Sequence, residues 1–422
     1  MKIIGIITEY NPFHNGHQYQ IQEIRKKEQA DYVIVAMSGD YVQRGGPSMI
    51  DKYSRTKMAL SCGADLVLML PVSVSLSSAR NFAKGGVGIL ASLGIDCLTY
   101  GCETPDLDQL KGFASFFQNE DPLFSMLIKE RLKEGCNYPL ARQEAFVQYQ
   151  KQDARTSSSL QKAFPFIQPD PAILGSPNNI LGIEYETAIL DLEATIETSP
   201  IKRIGKGYHD TDSSHEFSSA SAIRNHIMET TYLPQRGLPQ EAASILEEAL
   251  DRCGPIHSEL FSDIFEYELL HLNESILINY QDCSSELAHR ILSQRENYQT
   301  FSQFLSLIKT KGYTQTRIQR LFMQILLRLT SQSYERLASC NYAPYARVLG
   351  FRSESEPLFA ELKKRSSIPI LTSLSQARTK LENLSYEILE EDLYASDLYR
   401  LIQKQHFHLT SKNDYKQPLI IL

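Results

Sequence analysis

The stretch IGIITEYNPFHNGHQYQIQEI, residues 4–24, passes from an apolar run into a helical pattern, and two histidines three apart stand at the join. Ile4 to Thr8 read as a strand buried in a sheet. Gln18 to Ile24 read as the first turns of an amphipathic helix. A helix N-terminus offers unpaired N–H groups and the positive end of its dipole to an anion. Gly16 removes a side chain so that a ligand can approach the backbone, and Pro12 stiffens the loop. His14 and His17 project from one face of a helical turn and can both donate to phosphate oxygens. Such a pair would stabilise charge developing on a pyrophosphate leaving group without covalent chemistry. Alone, an H-x-G-H reads more simply as cap or surface histidines. The strand before it and the helix after it favour the phosphate site.

Working outward, DYVIVAMS (31–38), ADLVLMLPV (64–72) and IDCLTYG (95–101) are further short apolar runs. Helical patterns at Gln18–Gln29, Tyr53–Ser61 and Ala79–Leu93 separate them. This β-α-β-α order predicts a doubly wound α/β sheet whose ligands bind beyond the carboxyl ends of the strands. From about 105 to 172 the pattern turns helical and polar, as an insertion would. NNILGIEYETAILDL (178–192) is then expected as a helix, IKRIGKG (201–207) as a strand and SSASAIRNHIM (218–228) as a helix behind serine caps. PQRGLPQ (234–240) has the look of a linker. The expectation is a catalytic unit over 1–232 and a mainly α-helical domain over 233–422, apart from short apolar runs at IPILTSL and PLIIL.

With 422 residues, 42% apolar and 22% charged, the chain is ordinary for a globular protein of two or three domains. A net charge of −7 argues against a uniformly basic coat for nucleic acid. Seven scattered cysteines without a C-x-x-C pair or a secretory leader suggest a reducing cytoplasm. No metal-type spacing of histidine and cysteine occurs, and no apolar window reaches the roughly 20 residues of a membrane helix. Neither a membrane nor an obligate protein partner is expected.

Within the acidic whole lies a basic window. From Phe301 to Arg352 the chain carries Lys309, Lys311, Arg317, Arg320, Arg328, Arg336, Arg347 and Arg352 against the single acid Glu335, with Tyr313, Tyr334, Tyr342 and Tyr345 interleaved. Ile318, Leu321, Ile325 and Leu329 form an apolar stripe beside the cations. A solvated helix face is the plain reading. The near absence of acids favours an RNA backbone, with tyrosines for unstacked bases, so Lys309, Lys311, Arg317 and Arg320 are the candidate RNA contacts.

NPFHNGH after a first strand resembles the HxGH signature of the HIGH-type nucleotidyltransferases. MSGDYVQRGGPSMIDKYSRTKMAL, GADLVLMLP, NNILGIEY, IKRIGKGYHD, ASAIR and KGYTQTRIQRLFMQILL follow in order, and together they resemble the tRNA(Met) cytidine acetate ligase family over most of the chain. That resemblance implies a Rossmann-like parallel sheet of the HIGH type and an enzyme acting on ATP, acetate and elongator tRNA(Met). Acetate would be adenylated to acetyl-AMP, and the acetyl group passed to N4 of the wobble cytidine. Carried over by motif, the ATP site comprises Ile7, Thr8, Glu9, Tyr10, Asn11, Pro12, Phe13, His14, Asn15, Gly16, His17, Gln18, Tyr19 and Gln20, then Gly101, Asn178 and Arg203. His14, His17 and Arg203 are the catalytic candidates, with Mg²⁺ accompanying ATP. The serine/arginine motif implies a phosphate site at Ser221 and Arg224. In SGDYVQRGGPSMIDKYSRTK, Arg44 and Lys52 are candidates for a substrate loop, whose plain alternative is a mobile surface loop. From the residues alone, Gly101 is equally a turn glycine, Asn178 a helix cap and Arg203 a surface ion pair. A small-molecule adenylyltransferase and a non-catalytic nucleotide- and tRNA-binding protein remain the alternatives.

Overall fold

The computed structural model describes residues 1–119, 121–136, 138–152, 154–204 and 216–422, with the side chains of 154–158 set aside. Residues 205–210 of the IKRIGKGYHD motif lie outside the described residues. The four apolar runs form strands β1 (Ile3–Thr8), β2 (Tyr32–Ser38), β3 (Leu66–Leu70) and β4 (Cys97–Cys102), followed by β5 (Glu197–Lys202). Their order is β3-β2-β1-β4-β5, all parallel. β1 is the centre: Ile6 pairs with Val35 on one side and Thr99 on the other. Strand order therefore reverses at β1 and β4, and the crevice beyond their carboxyl ends is the place for a ligand.

The helices that matter to this crevice are α1 (Asn15–Glu28), α2 (Lys52–Ser61), α3 (Ala79–Ser92), α4 (Pro177–Asp191) and α5 (Ala220–Thr230). The insertion folds as helices Leu107–Gln118, Pro122–Lys133 and Tyr138–Gln150, joined to the sheet's core by a cluster of aromatic rings such as Phe113, Phe116, Phe124 and Phe146. The C-terminal half is mostly helical, and includes α6 (Gln315–Leu327) and α7 (Asn383–Phe407).

That half also supplies strands β6 (Ala346–Phe351), β7 (Ile370–Leu371) and β8 (Ile420–Ile421). β6 runs antiparallel to β3, with Leu66 opposite Phe351 and Met69 opposite Arg347, and β7 and β8 pair with β6. A division at 232/233 therefore cuts through one continuous eight-stranded sheet. The sheet edge explains it: β3 would otherwise present unpaired backbone groups.

Lys52 corrects an expectation. Its side chain is 2% exposed, and its ammonium donates to Asp40 at 2.6 Å, Ser396 at 2.8 Å and Asp414 at 3.2 Å. Asp414 also accepts from Arg347 at 2.7 Å. A buried lysine enclosed by two carboxylates is not available to a substrate; it ties the start of α2 to β6 and to the C-terminal segment. Removing one partner of a buried ion pair leaves the others charged and unpaired, at a cost of about 3–5 kcal/mol. Lys52→Ala is expected to lower the unfolding free energy by that amount in denaturant titration, while Lys57→Ala, half-buried on the same helix and without an ion pair among the described residues, changes it by much less.

Candidate active site

His14 is the N-cap of α1, and the two histidines are locked by main-chain donors. Gly16 N–H donates to His14 Nδ1 at 3.0 Å, and His14 N–H donates to His17 Nδ1 at 3.2 Å. With both Nδ1 atoms accepting, each neutral ring carries its proton on Nε2. The rings stack 3.7 Å apart between centroids, with Tyr10 and Phe13 packed around His17. Burial pushes the pKa of His14 down to about 3, and Arg203 and Arg224 add to the shift. Burial, then His14 and Arg203, hold His17 well below the ordinary value as well. The pair thus offers two neutral Nε2–H donors rather than two charges.

One expectation is corrected at this junction. The first N–H groups of α1 are already taken: Asn15 donates to Gly237, Gly16 to the His14 ring, and His17 and Gln18 to the His14 carbonyl. The free N–H groups that an anion needs lie instead on α5. There Ser219 caps Ala222, while the N–H groups of Ala220 and Ser221 face the cavity without a described partner. Arg224 donates to the Asn11 carbonyl at 2.6 Å and to Ser221 Oγ at 3.1 Å, fixing α5 against the β1–α1 loop.

Two adjoining cavities fill the crevice. One lies among His17, Gln20, Gly101, Ile201, Arg203 and Phe217. The other, about 220 Å³, reaches from the same histidines past Thr8, Glu9, Asn11, Arg44, Ser221 and Arg224. They share His14, His17, Gln20, Gly101, Asn178, Arg203 and Ser219. The sequence candidates from Ile7 to Asn11, Gly16, Tyr19 and Gln20 line one or both. Pro12 and Phe13 instead shape the turn, and Asn15 donates to the Glu216 carbonyl at 2.8 Å. Gln18 sits on α1 behind the cap and lines neither cavity.

Gly101 lets Arg203 lie close against the strand, since a Cβ there would stand 3.2 Å from Arg203 Cγ and push that side chain aside. Asn178 is not the cap of α4, a place held by Ser176. Its amide donates to Glu103 at 2.6 Å, which leaves its carbonyl oxygen free to accept. Glu103, which sequence reasoning passed over, also accepts Asn179 N–H at 3.0 Å and so pins α4 to the end of β4. Tyr185 and Phe217 were passed over too, because a tyrosine in a helix and a phenylalanine in a loop carry no local signature. Burial lowers the pKa of Arg44, Arg203 and Arg224, opposed by Glu9 at Arg44 and Arg224 and by Glu103 at Arg203. Three guanidinium groups converge here beside two carboxylates, Glu9 and Glu103, and make a site for added negative charge.

The basic window behaves differently from its composition. Acids from outside it neutralise its arginines: Asp282 takes Arg320 at 3.0 Å and lies 3.9 Å from Arg317, Glu268 takes Arg328, Glu391 takes Arg336, Asp414 takes Arg347 and Glu354 takes Arg352. Tyr334 and Tyr345 are buried and hydrogen-bonded to the Leu76 carbonyl and Asp392, so they stack on nothing from solvent. The stripe of Ile318, Leu321, Ile325 and Leu329 is core, as expected. Lys309 and Lys311 remain exposed, with no acidic partner among the described residues.

A depressed histidine pKa has a stability consequence with a definite sign. The folded state keeps His14 neutral, while the unfolded chain takes up a proton below about pH 6.5. The contribution is complete above that pH and is lost as pH falls towards 3. His14→Asn, which keeps a capping acceptor, is expected to lose about 2 kcal/mol less than the wild type between pH 7.5 and pH 5 in denaturant titration.

Comparison with known proteins agrees with this geometry. The profile of the HIGH Nucleotidyl Transferase family matches residues 1–414. Proteins named tRNA(Met) cytidine acetate ligase from Acetivibrio thermocellus and Thermoanaerobacter sp. are 35% and 36% identical, each alignment covering 100% of both chains. The crystal structure of Thermotoga maritima TmcAL bound with alpha-thio ATP superposes with a TM-score of 0.87 at 28% identity, covering 100% of both chains. The apo form of the same protein gives 0.89. The chain belongs to the tRNA(Met) cytidine acetate ligase family of HIGH nucleotidyltransferases.

Proposed function

We propose that this protein is an ATP-dependent ligase that activates acetate as acetyl-AMP and transfers the acetyl group to N4 of the wobble cytidine, position 34, of elongator tRNA(Met). The observation that carries the reading is the pair of main-chain-locked, neutral histidines facing Arg203, Arg224 and the free N–H groups of α5 across one crevice. A solved structure of a relative at 28% identity holds alpha-thio ATP. Adenine fits the cavity beside Gly101, Ile201 and Phe217, where the free Asn178 carbonyl can accept from an amine.

A carboxylate oxygen of acetate attacks the α-phosphorus, a new P–O bond forms, and pyrophosphate leaves with the electron pair of the broken bond. His14 and His17 donate from Nε2 to the phosphate oxygens, and Arg203 with Arg224 balances the charge that develops. The cytidine amine then attacks the acetyl carbonyl carbon, AMP departs, and the nitrogen loses one proton as the amide forms. No cysteine enters the route, and burial raises the thiol pKa of Cys62, Cys97, Cys102, Cys253 and Cys283. Mg²⁺ accompanying ATP would neutralise part of the charge on its phosphates. The described residues include no group of three metal-ligating side chains, so the phosphates rather than the protein would supply most of its ligands.

Lys309 and Lys311 are assigned to the tRNA backbone, and the C-terminal half to tRNA. Arg317 and Arg320 keep that role only through the part of each guanidinium that Asp282 leaves free. The reading also places the protein in the cytoplasm, where tRNA is found and where seven free cysteines persist. No helix among the described residues is long and apolar enough to cross a membrane.

Labelled acetate incubated with the protein, ATP, Mg²⁺ and tRNA is expected to appear in N4-acetylcytidine after nuclease digestion, and not when ATP is omitted. Absence of label with folded, ATP-binding protein would exclude these substrates. His14→Ala and His17→Ala are each expected to lower acetate-dependent ATP–pyrophosphate exchange by about 10²–10³-fold while leaving tRNA affinity within about twofold. A Lys309→Glu, Lys311→Glu double variant is expected to weaken tRNA binding by about tenfold or more and to flatten its salt dependence, with exchange unchanged.

A further inference from the structure

Helix α4 acts as a ruler along the crevice. Asn178, Leu181 and Tyr185 stand at i, i+3 and i+7, on one face, and span about 10 Å of helix rise. Asn178 lines both cavities, whereas Leu181 and Tyr185 line only the second. Moving along α4 therefore leads away from the nucleotide and into an end of the second cavity bounded by Ile7, Phe82, Leu181 and Tyr185. These walls belong to the main hydrophobic core: Ile7 is 8%, Phe82 3% and Tyr185 2% exposed, and Leu181 packs against them.

Of these four side chains only Tyr185 carries a polar group. The Tyr185 hydroxyl makes no hydrogen bond to another described residue, unlike that of its neighbour Tyr100, which donates to Glu186 at 2.6 Å. Burial raises its pKa and the Glu9 carboxylate adds to the shift, so the phenol stays neutral and keeps its proton to donate. A hydroxyl buried beside a cavity without a partner costs free energy unless a ligand atom accepts from it.

Resting on the ligase reading above, we propose that this end of the cavity is the acyl subsite, with Tyr185 donating to one oxygen of the incoming carboxylate and Leu181 and Phe82 enclosing its methyl group. The chemistry of the occupant follows from the walls. A short carboxylate has one apolar end to bury, one oxygen to receive the hydroxyl proton, and a second oxygen left to face the phosphate between His14 and His17. Arg44, on the rim of the same cavity, balances its charge. A nucleobase needs several donors and acceptors, and this end offers one. Leu181 then limits chain length, because each added methylene must displace core side chains that are already close-packed.

The test is ATP–pyrophosphate exchange with acetate, propionate and butyrate on the full chain. Leu181→Ala is expected to raise the butyrate-to-acetate ratio of kcat/KM by about tenfold or more, and the milder Leu181→Val to raise the propionate-to-acetate ratio. Tyr185→Phe is expected to raise the KM for acetate about three- to tenfold with the KM for ATP unchanged, which also shows that the site is folded. Acetate-dependent exchange by the wild type, with the chain-length ratios and acetate KM unmoved in the variants, would overturn the subsite alone. The same holds for a variant that moves the KM for ATP instead. No exchange by the wild type with any of the three acids would overturn the ligase reading and the subsite together.

Discussion

Arg55 holds the carboxyl ends of β1 and β2 together, and the site is built on that junction. Its side chain is fully buried, and the guanidinium donates to the carbonyl of Glu9 at 2.7 Å, of Ser38 at 3.0 Å, of Ile50 at 3.3 Å and of Gly39. Burial lowers its pKa, and carboxylates at a distance, Asp40 first among them, act against that shift. Such a charge persists in the interior only because its donors meet carbonyl oxygens that the two strands can no longer pair. The geometry works in both directions. The strands leave their last carbonyls unsatisfied, α2 delivers a planar fork of donors to them, and the loop from Glu9 to His14 leaves β1 in a fixed direction.

From that fixed departure the histidine pair follows with little freedom. The loop turns back through Asn11, whose side chain accepts Met49 N–H at 2.8 Å and whose carbonyl takes Arg224. His14 then caps α1 while its own N–H is claimed by His17. A capping box ordinarily satisfies the helix N-terminus with side chains that have no other task. Here the same bonds select a tautomer, so the backbone determines which nitrogen of each ring faces the phosphates. The cost is that α1 keeps no N–H group for an anion, and the charge-receiving role moves to α5 and the arginines.

The β1–α1 junction was legible in the sequence because its signal is local. The pattern changes from a buried strand to a helical period within a dozen residues, and both histidines fall at the change. Gly101, Asn178 and Arg203 were legible only through motif resemblance, since each depends on a partner far along the chain: Gly101 on Arg203, and Asn178 on Glu103. The C-terminal half shows where local reading stops. Counting charges between 301 and 352 suggested an uncompensated basic face, but Asp282, Glu391 and Asp414 reach those arginines from other segments. Lys52 failed for the same reason, its carboxylates lying 12 and 362 positions away. Ion pairing is a property of three-dimensional proximity, and composition along a window does not contain it.

That non-local pairing also shows why the helical half cannot be considered apart from the nucleotide site. Arg44 rides on a hairpin of Tyr41–Val42 and Gly46–Pro47, and the turn at Gly45 adopts φ +84. A Cβ at Gly45 would lie 2.2 Å from the backbone nitrogen of Arg320, so the turn rests directly on α6. Asp282 fixes Arg320, and Gln324 on the same helix donates to the Leu76 carbonyl. α6 is therefore anchored on both sides of the point where the hairpin touches it. Glu9, which leaves β1, accepts the Gln43 N–H at 2.9 Å and holds the hairpin's other side. Arg44 is thus placed by the first strand and by a helix almost three hundred residues later in the chain.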